Sequence, residues 1–388
     1  MRAATTRRGL LWVALLLGAV GAPAATHADR ASGDWTGSVF LRGNYYWERS
    51  TRVVAPNAGV TLEAPNGVRL RADYLVDSIT SASQAAGVVE DIRFTEIRHQ
   101  GQLGASYEFD LGRAHLDVDF SFRVSREPDY LSLGGGINTA LALADRSTVL
   151  RFAAFVLHDE IRQKLRSGTG ARPMTMGGTS ADAFRENFDA LVLNVGWEQL
   201  LGPSAYAQIT YQYGYLNGFL ANAYRRVAVA DVLRPEHHPG TRHRHTLTGR
   251  LVGYVRPTRT ALHAIYSAYL DSWDIAALTP EVRVYQQLAE FFYVRVRWRH
   301  YRQRRSFFYR DTYDHDLPDE AYVTADPKMS TFHSNTLGFQ LLLTGGFLGE
   351  TRLDAFRRAS LDLTVEYRWN TNRFGNGVIA QAGLVAPF

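Results

Sequence analysis

The chain has 388 residues, 43 Lys and Arg against 38 Asp and Glu, a formal charge of +5 and no cysteine. The missing cysteines exclude a disulfide framework, a thiolate metal site and a catalytic thiol. Arg2, Arg7 and Arg8 fall within residues 1–28; beyond that segment the balance is 40 basic against 38 acidic residues, a net of +2, so no nucleic-acid partner is implied.

The N-terminus comes first in the chain. Arg2, Arg7 and Arg8 make a positive start, Gly9 to Gly21 is apolar, and small-x-small triplets end at Ala24 and Ala28. This is the pattern of a secretory signal peptide over residues 1–28, cleaved after one of those alanines. The apolar stretch is too short to span a bilayer as a helix. No Cys follows it, which excludes a lipoprotein anchor.

From Trp35 onward apolar and polar residues alternate. In Leu116-Asp117-Val118-Asp119-Phe120-Ser121-Phe122-Arg123-Val124 one face is Leu, Val, Phe, Phe, Val and the other Asp, Asp, Ser, Arg. Strand side chains point to opposite faces with period two, so each such segment is a strand with one apolar and one polar face. The first eight predicted strands are Trp35–Glu48, Arg52–Ala64, Val68–Ser78, Thr95–Asp110, Ala114–Arg126, Leu131–Ala144, Thr148–His158 and Phe188–Leu200. The second eight are Ser204–Tyr215, Arg242–Val255, Arg259–Ser272, Ile275–Leu288, Phe292–Arg302, Phe332–Thr344, Ser360–Trp369 and Gly377–Phe388. Long alternating strands with aromatics near their ends point to an all-β fold, a transmembrane antiparallel up-and-down β-barrel of about sixteen strands, with fourteen or eighteen as neighbouring counts. Residues 29–388 form that single domain. A soluble sandwich or propeller also alternates, but its strands average about five to six residues and no blade repeat is present.

Connection lengths test the count. The long connections Ile79–Phe94, Asp159–Asn187, Leu216–Thr241 and Gln303–Thr331 all follow odd-numbered strands. The tight ones at Pro65-Asn66, Leu111-Gly112-Arg113, Asp145-Arg146, Gly202-Pro203 and Pro257-Thr258 all follow even ones. Short periplasmic turns and long external loops have this parity. Gly345–Ala359 is the exception, an even connection long enough for a short periplasmic helix.

The lipid face is expected to hold Val39, Leu41, Tyr45 and Trp47; Leu116, Val118, Phe120 and Phe122; Leu191, Leu193, Val195 and Trp197; and Leu361, Leu363, Val365, Tyr367 and Trp369. Phe388 ends an alternating strand, Val378, Ala380, Ala382, Leu384 and Ala386. Such an ending is the expected signal for the barrel assembly machinery. Outer-membrane lipid and lipopolysaccharide are the other expected partners.

Several stretches resemble a bacterial outer-membrane family, Domain of Unknown Function 3570. They are Asp73-Tyr74-Leu75-Val76-Asp77-Ser78-Ile79-Thr80-Ser81-Ala82-Ser83, Phe94-Thr95-Glu96-Ile97-Arg98, Tyr322-Val323-Thr324-Ala325-Asp326-Pro327-Lys328-Met329-Ser330 and Gly383-Leu384-Val385-Ala386-Pro387-Phe388. The resemblance implies an outer-membrane barrel and supplies no catalytic residue.

The polar face carries the chemistry. Arg295, Arg297 and Arg299 share one face, with Arg283 beside them. Arginine at the lipid midplane costs about 2–4 kcal/mol, so this ladder must face the lumen. Arg42, Arg69, Arg71, Arg98, Arg123, Arg250 and Arg368 join the basic set, and Asp73, Asp117, Asp119, Asp362 and Glu366 the acidic one. Two arrangements fit: acids facing the ladder across an open pore, or charges that pair and fill a narrow interior. Sixteen strands usually leave an aqueous channel, which favours the first.

Two loops invite metal readings. Glu236, His237, His238, His243 and His245 concentrate imidazoles, which suit transition metals, but match no standard spacing. Asp311, Asp314, Asp316, Asp319 and Glu320 offer hard oxygen, which suits Ca²⁺, without the EF-hand pattern. Both read as solvated loops, and no cofactor is expected. Gly-x-Ser-x-Gly, His-Glu-x-x-His and Walker motifs are absent, so no enzyme is expected.

Overall fold

The computed structural model describes residues 34–49, 51–85, 88–128, 130–162, 185–222, 226–230, 232–348, 356–373 and 375–388. The predicted signal peptide lies outside the described residues.

Sixteen antiparallel strands close into one barrel. The first nine are β1 (Thr36–Glu48), β2 (Thr51–Glu63), β3 (Arg69–Ala85), β4 (Val88–Asp110), β5 (His115–Glu127), β6 (Tyr130–Leu143), β7 (Thr148–Arg162), β8 (Arg185–Gly202) and β9 (Ala205–Gly218). Two short strands, β10 (Arg226–Val229) and β11 (Val232–Pro235), then form a separate hairpin. The barrel resumes with β12 (Thr241–Val255), β13 (Thr260–Asp271), β14 (Ala276–Ala289), β15 (Phe292–Gln303), β16 (Phe332–Thr344), β17 (Ser360–Asn370) and β18 (Gly377–Pro387).

Closure is made by β1 against β18, in register from Ser38↔Pro387 to Glu48↔Gly377. Phe388 extends the seam: its N–H donates to Gly37 O at 2.8 Å and its carbonyl accepts from Gly37 N–H at 3.0 Å. A closed ring has no edge, so strand N–H and C=O groups that meet hydrocarbon are paired.

The alternation becomes geometry. Val39, Leu41, Tyr45, Trp47, Phe120, Phe122, Val195, Trp197, Leu361, Leu363, Val365 and Trp369 are all exposed on the outer wall. Leu116, Val118, Leu191, Leu193 and Tyr367 share that wall by register. A soluble protein does not display contiguous apolar surface on this scale; in lipid it is the stable arrangement. Tight turns fall at one rim. In the turn Ala144–Ser147 both central residues, Asp145 and Arg146, have positive φ (53° and 65°), as two-residue hairpins require.

Three expectations shift. The connection expected over Ile79–Phe94 is largely strand, because β3 runs to Ala85 and β4 starts at Val88. Likewise β7 runs to Arg162 and β8 starts at Arg185. Backbone pairing needs no lipid, so a hairpin continues past the hydrocarbon where the apolar alternation has stopped. Within 216–241 the hairpin β10–β11 appears. The described part of the connection Gly345–Ala359 holds one short 3₁₀ helix, Gly345–Leu348.

Phe120 is 57% exposed in the middle of β5. Phe120→Arg is expected to destabilise the barrel by about 2–4 kcal/mol, read by equilibrium unfolding in lipid vesicles, whereas Phe120→Leu stays near the parent.

Candidate pore lumen and its external cap

The register places Arg42, Arg69, Arg71, Asp73, Arg98, Asp117, Asp119 and Arg123 on the inward face of β1 and β3–β5. It places Arg250, Arg283, Arg295, Arg297, Arg299, Asp362, Glu366 and Arg368 on the inward face of β12 and β14–β17. The inner wall is therefore strongly charged along the arcs of β3–β5 and β14–β17, whereas β7 and β8 turn the apolar Leu157, Phe188 and Ala190 inward.

The charges do not oppose one another across the barrel; they pair sideways along the wall. Arg297 is held between two carboxylates: its Nη1 donates to Glu366 Oε1 and Oε2 at 2.8 and 2.7 Å, and its Nη2 to Glu281 Oε2 at 2.9 Å. Glu281 also accepts from Arg283 and lies 3.9 Å from Arg299. Arg295 lies 3.7 Å from Glu366. On the opposite arc Arg71 donates to Asp119 at 2.5 Å, Arg69 to Asp117, and Arg98 to Asp77. Arg368 donates to the Tyr46 hydroxyl at 3.0 Å, which donates to Glu48 at 2.5 Å.

Several of these pairs span an intervening strand, and for two of them glycine leaves the room. Gly338 sits on β16 in register with both Arg297 and Glu366; a Cβ there would meet Glu366 Oε1 at 2.9 Å. Gly104 sits on β4 opposite Arg71, and a Cβ there would meet the Arg71 guanidinium at 3.2 Å. Asp362 leans over Gly383, whose partner on the far side is Arg42. The reason for sideways pairing is distance: a neighbouring carboxylate is in contact, and one across a sixteen-strand barrel is separated by the lumen.

Pairing leaves a surplus. Among the described residues Arg283, Arg295, Arg297 and Arg299 share only Glu281 and Glu366 as ion-pair partners. His263 lies in register with Arg283 and its ring is 4.6 Å from Tyr285. Arg250 points into the same arc from β12. Elsewhere the wall stays accessible: the side chains of Arg69 and Arg71 are 35% and 42% exposed while facing inward.

At the long-loop rim the connections after β9 and β15 fold together into a cap. Val227, Val229, Tyr313, Val323 and Ala325 form a buried cluster, with Leu317 packed on it. Val229 bridges Tyr313 and His237 bridges Val323, tying the connection after β9 to the one after β15, and Tyr309 bridges Thr324 within the latter. The Tyr313 hydroxyl donates to Phe308 O at 2.7 Å and accepts from Thr324 N–H at 2.9 Å; burial pushes this phenol's pKa up. The Thr324 hydroxyl donates to buried Glu236 at 2.8 Å. The cap leans inward. Gln303, on the inner face of β15, donates to Lys328 O and Ser330 O at 2.7 and 2.9 Å. Leu220 packs on the inward-facing cluster of Leu157, Phe188 and Ala190.

The histidine-rich loop comes together only in part: Glu236 Oε2 lies 3.8 Å from His238 Nε2, and the other three histidines lie apart from them. Glu236 and His238 are buried in the cap, His238 between Trp273 and Phe308, and His237 Nδ1 faces Ala321 O at 3.2 Å. His243 and His245 point the other way, onto the outer wall, where Tyr213 and Tyr211 bond them at 2.8 and 2.7 Å. The cause is the strand period: β12 begins at Thr241, so Arg242 and Arg244 face in and His243 and His245 face out. Among the described residues no group of three or more His, Asp or Glu is arranged to hold a metal ion, the stretch Asp311–Glu320 included. Glu281 is the chief residue missed from the sequence. Its signal was present, since it lies two positions before Arg283 on the same strand face.

The family model described as "Protein of unknown function (DUF3570)" matches residues 89–366. The chain belongs to this family. No curated protein matches it in sequence. Among solved structures, Pseudomonas aeruginosa OprD is similar at 9% identity and a TM-score of 0.42, over 93% of this chain and 98% of that one. The CymD monoaromatic hydrocarbon channel is similar at 8% identity and 0.43, over 91% and 88%. Acinetobacter baumannii OccAB3 is similar at 9% and 0.39, over 92% and 100%. These likenesses are remote, and the architecture of this family member rests on its own strand registers.

Glu281→Gln removes one carboxylate from Arg283, Arg297 and Arg299. It is expected to lower stability by about 1–3 kcal/mol, seen as a lower urea midpoint in vesicles; an unchanged midpoint would mean that water already neutralises these arginines.

Proposed function

We propose that this family member is a passive channel of the bacterial outer membrane for small polar or charged solutes, with anions favoured. The observation that carries this reading is the inner wall. It is charged along two arcs and in part accessible, and around β14–β17 four arginines share two glutamates. A low-dielectric wall focuses the field of such a surplus on the lumen and raises the local concentration of anions. Arginine is suited to the task because it stays charged and presents planar donors to carboxylates and phosphates. Export through a signal peptide and insertion by the barrel assembly machinery through the strand ending at Phe388 belong to the same reading.

One observation favours a second reading. The cap has its own buried cluster and leans over the mouth, which suits a closed barrel whose loops bind a surface partner.

Purified protein in planar bilayers is expected to give discrete conductance steps with anion preference. Arg297→Glu should shift the reversal potential toward cations and Glu366→Gln further toward anions. A barrel that inserts and stays silent at every voltage contradicts the channel. Replacing residues 226–235 by a Gly-Ser linker is expected to raise single-channel conductance; an unchanged value would assign the cap to surface binding.

A further inference from the structure

The outer wall is not uniformly smooth. Between β2 and β5 an open groove of about 350 Å³ runs across four strands, lined chiefly by Ala58, Ala72, Tyr74, Leu103, Phe122 and Val124. Its floor is low because the residues there are small, and Gly101 is the lowest point. Nothing in the barrel requires glycine at Gly101: a Cβ would meet no atom within 4 Å, and the backbone is not left-handed. The gap is a property of the surface, not of the strand.

The register fixes what lies beside the groove. Gly101 pairs with Tyr74 and Val124, and the next outward-facing row toward the long-loop rim is Val76, His99 and Arg126. Residues directly opposite on antiparallel neighbours share a face, so His99 and Arg126 stand side by side at the external end of the groove. The Tyr74 hydroxyl and His99 Nδ1 are hydrogen-bonded at 2.6 Å, with the rings stacked at 6.1 Å. With Nδ1 held by Tyr74, the Nε2 edge of His99 is the one left to meet a ligand. Arg126 is exposed and makes no ion pair among the described residues.

We propose that this part of the wall is a docking site for a phosphorylated glycolipid of the outer leaflet, lipid A. One acyl chain lies in the Ala58–Gly101–Val124 groove, and a phosphate is held by Arg126 and His99. The groove alone selects nothing, because lipid tails are as apolar as the wall and gain little by exchanging neighbours. Selection comes from the head group, where a guanidinium and an imidazole N–H meet a phosphate in charge-assisted hydrogen bonds. The groove then holds the tail beneath that contact. The position matches the occupant: the donors lie at the long-loop end, the side on which lipopolysaccharide forms the leaflet of an outer membrane. The inference rests on the outer-membrane orientation and not on conduction, so a silent channel leaves it standing.

The full-length barrel in detergent micelles is titrated with bisphosphorylated lipid A, dephosphorylated lipid A and phosphatidylglycerol, and adducts are counted by native mass spectrometry. Bisphosphorylated lipid A is expected to bind tightest. The double variant His99→Gln/Arg126→Gln should lose about tenfold in affinity for it, with no loss for the dephosphorylated form. Gly101→Leu fills the groove and should weaken both lipid A forms, while its heat-modifiable gel migration shows that the barrel is intact. Equal binding of phosphorylated and dephosphorylated lipid A, binding of phosphatidylglycerol as tight as lipid A, or full retention by Gly101→Leu would each overturn the proposal.

Discussion

A strand that meets hydrocarbon has nothing but another strand to satisfy its backbone. That constraint sets everything else in this molecule. The sheet must close, and it does so between β1 and β18. Closure gives each residue only two destinations, lipid or lumen, and a period of two sends alternate residues to each. Arginine, aspartate and glutamate therefore collect inside, because the outer wall penalises each of them.

What happens to those charges inside is decided by distance rather than by sign alone. Arg297 finds Glu281 and Glu366 along the wall, and Arg71 finds Asp119. Gly338 and Gly104 leave room for side chains to reach across a strand. The result is a wall whose charges are mutually oriented, with a local excess of arginine around β14–β17. The same wall supports a cap at the long-loop rim, anchored by the inward-facing Gln303.

Much of this was legible in the sequence, for a physical reason. Period-two alternation is local, so Leu116–Val124 and Leu361–Trp369 declared their faces without knowledge of the fold. Loop parity extended that local signal to a strand count. The cap was not legible. Its strands β10 and β11 have four residues each, too few for a period to show, and its core joins Val227 to Tyr313 and Val323, far apart in the chain. The lateral ion pairs were half legible: the inward set followed from alternation, but which acid meets which arginine depends on register across strands. His243 and His245 neighbour His237 and His238 in sequence but not in space, because the start of β12 separates them.

The central claim is that the polar half of the alternation faces water. The chain has no cysteine, so single cysteines can be placed without background. Gln381 and Gln208 face inward, and Leu384 and Ile209 on the same two strands face outward. In barrels reconstituted into vesicles, a charged, membrane-impermeant thiol reagent is predicted to modify cysteine at Gln381 and Gln208 and to leave cysteine at Leu384 and Ile209 unmodified. Labelling of the outward pair with silence of the inward pair, or silence of all four, would contradict a water-filled lumen.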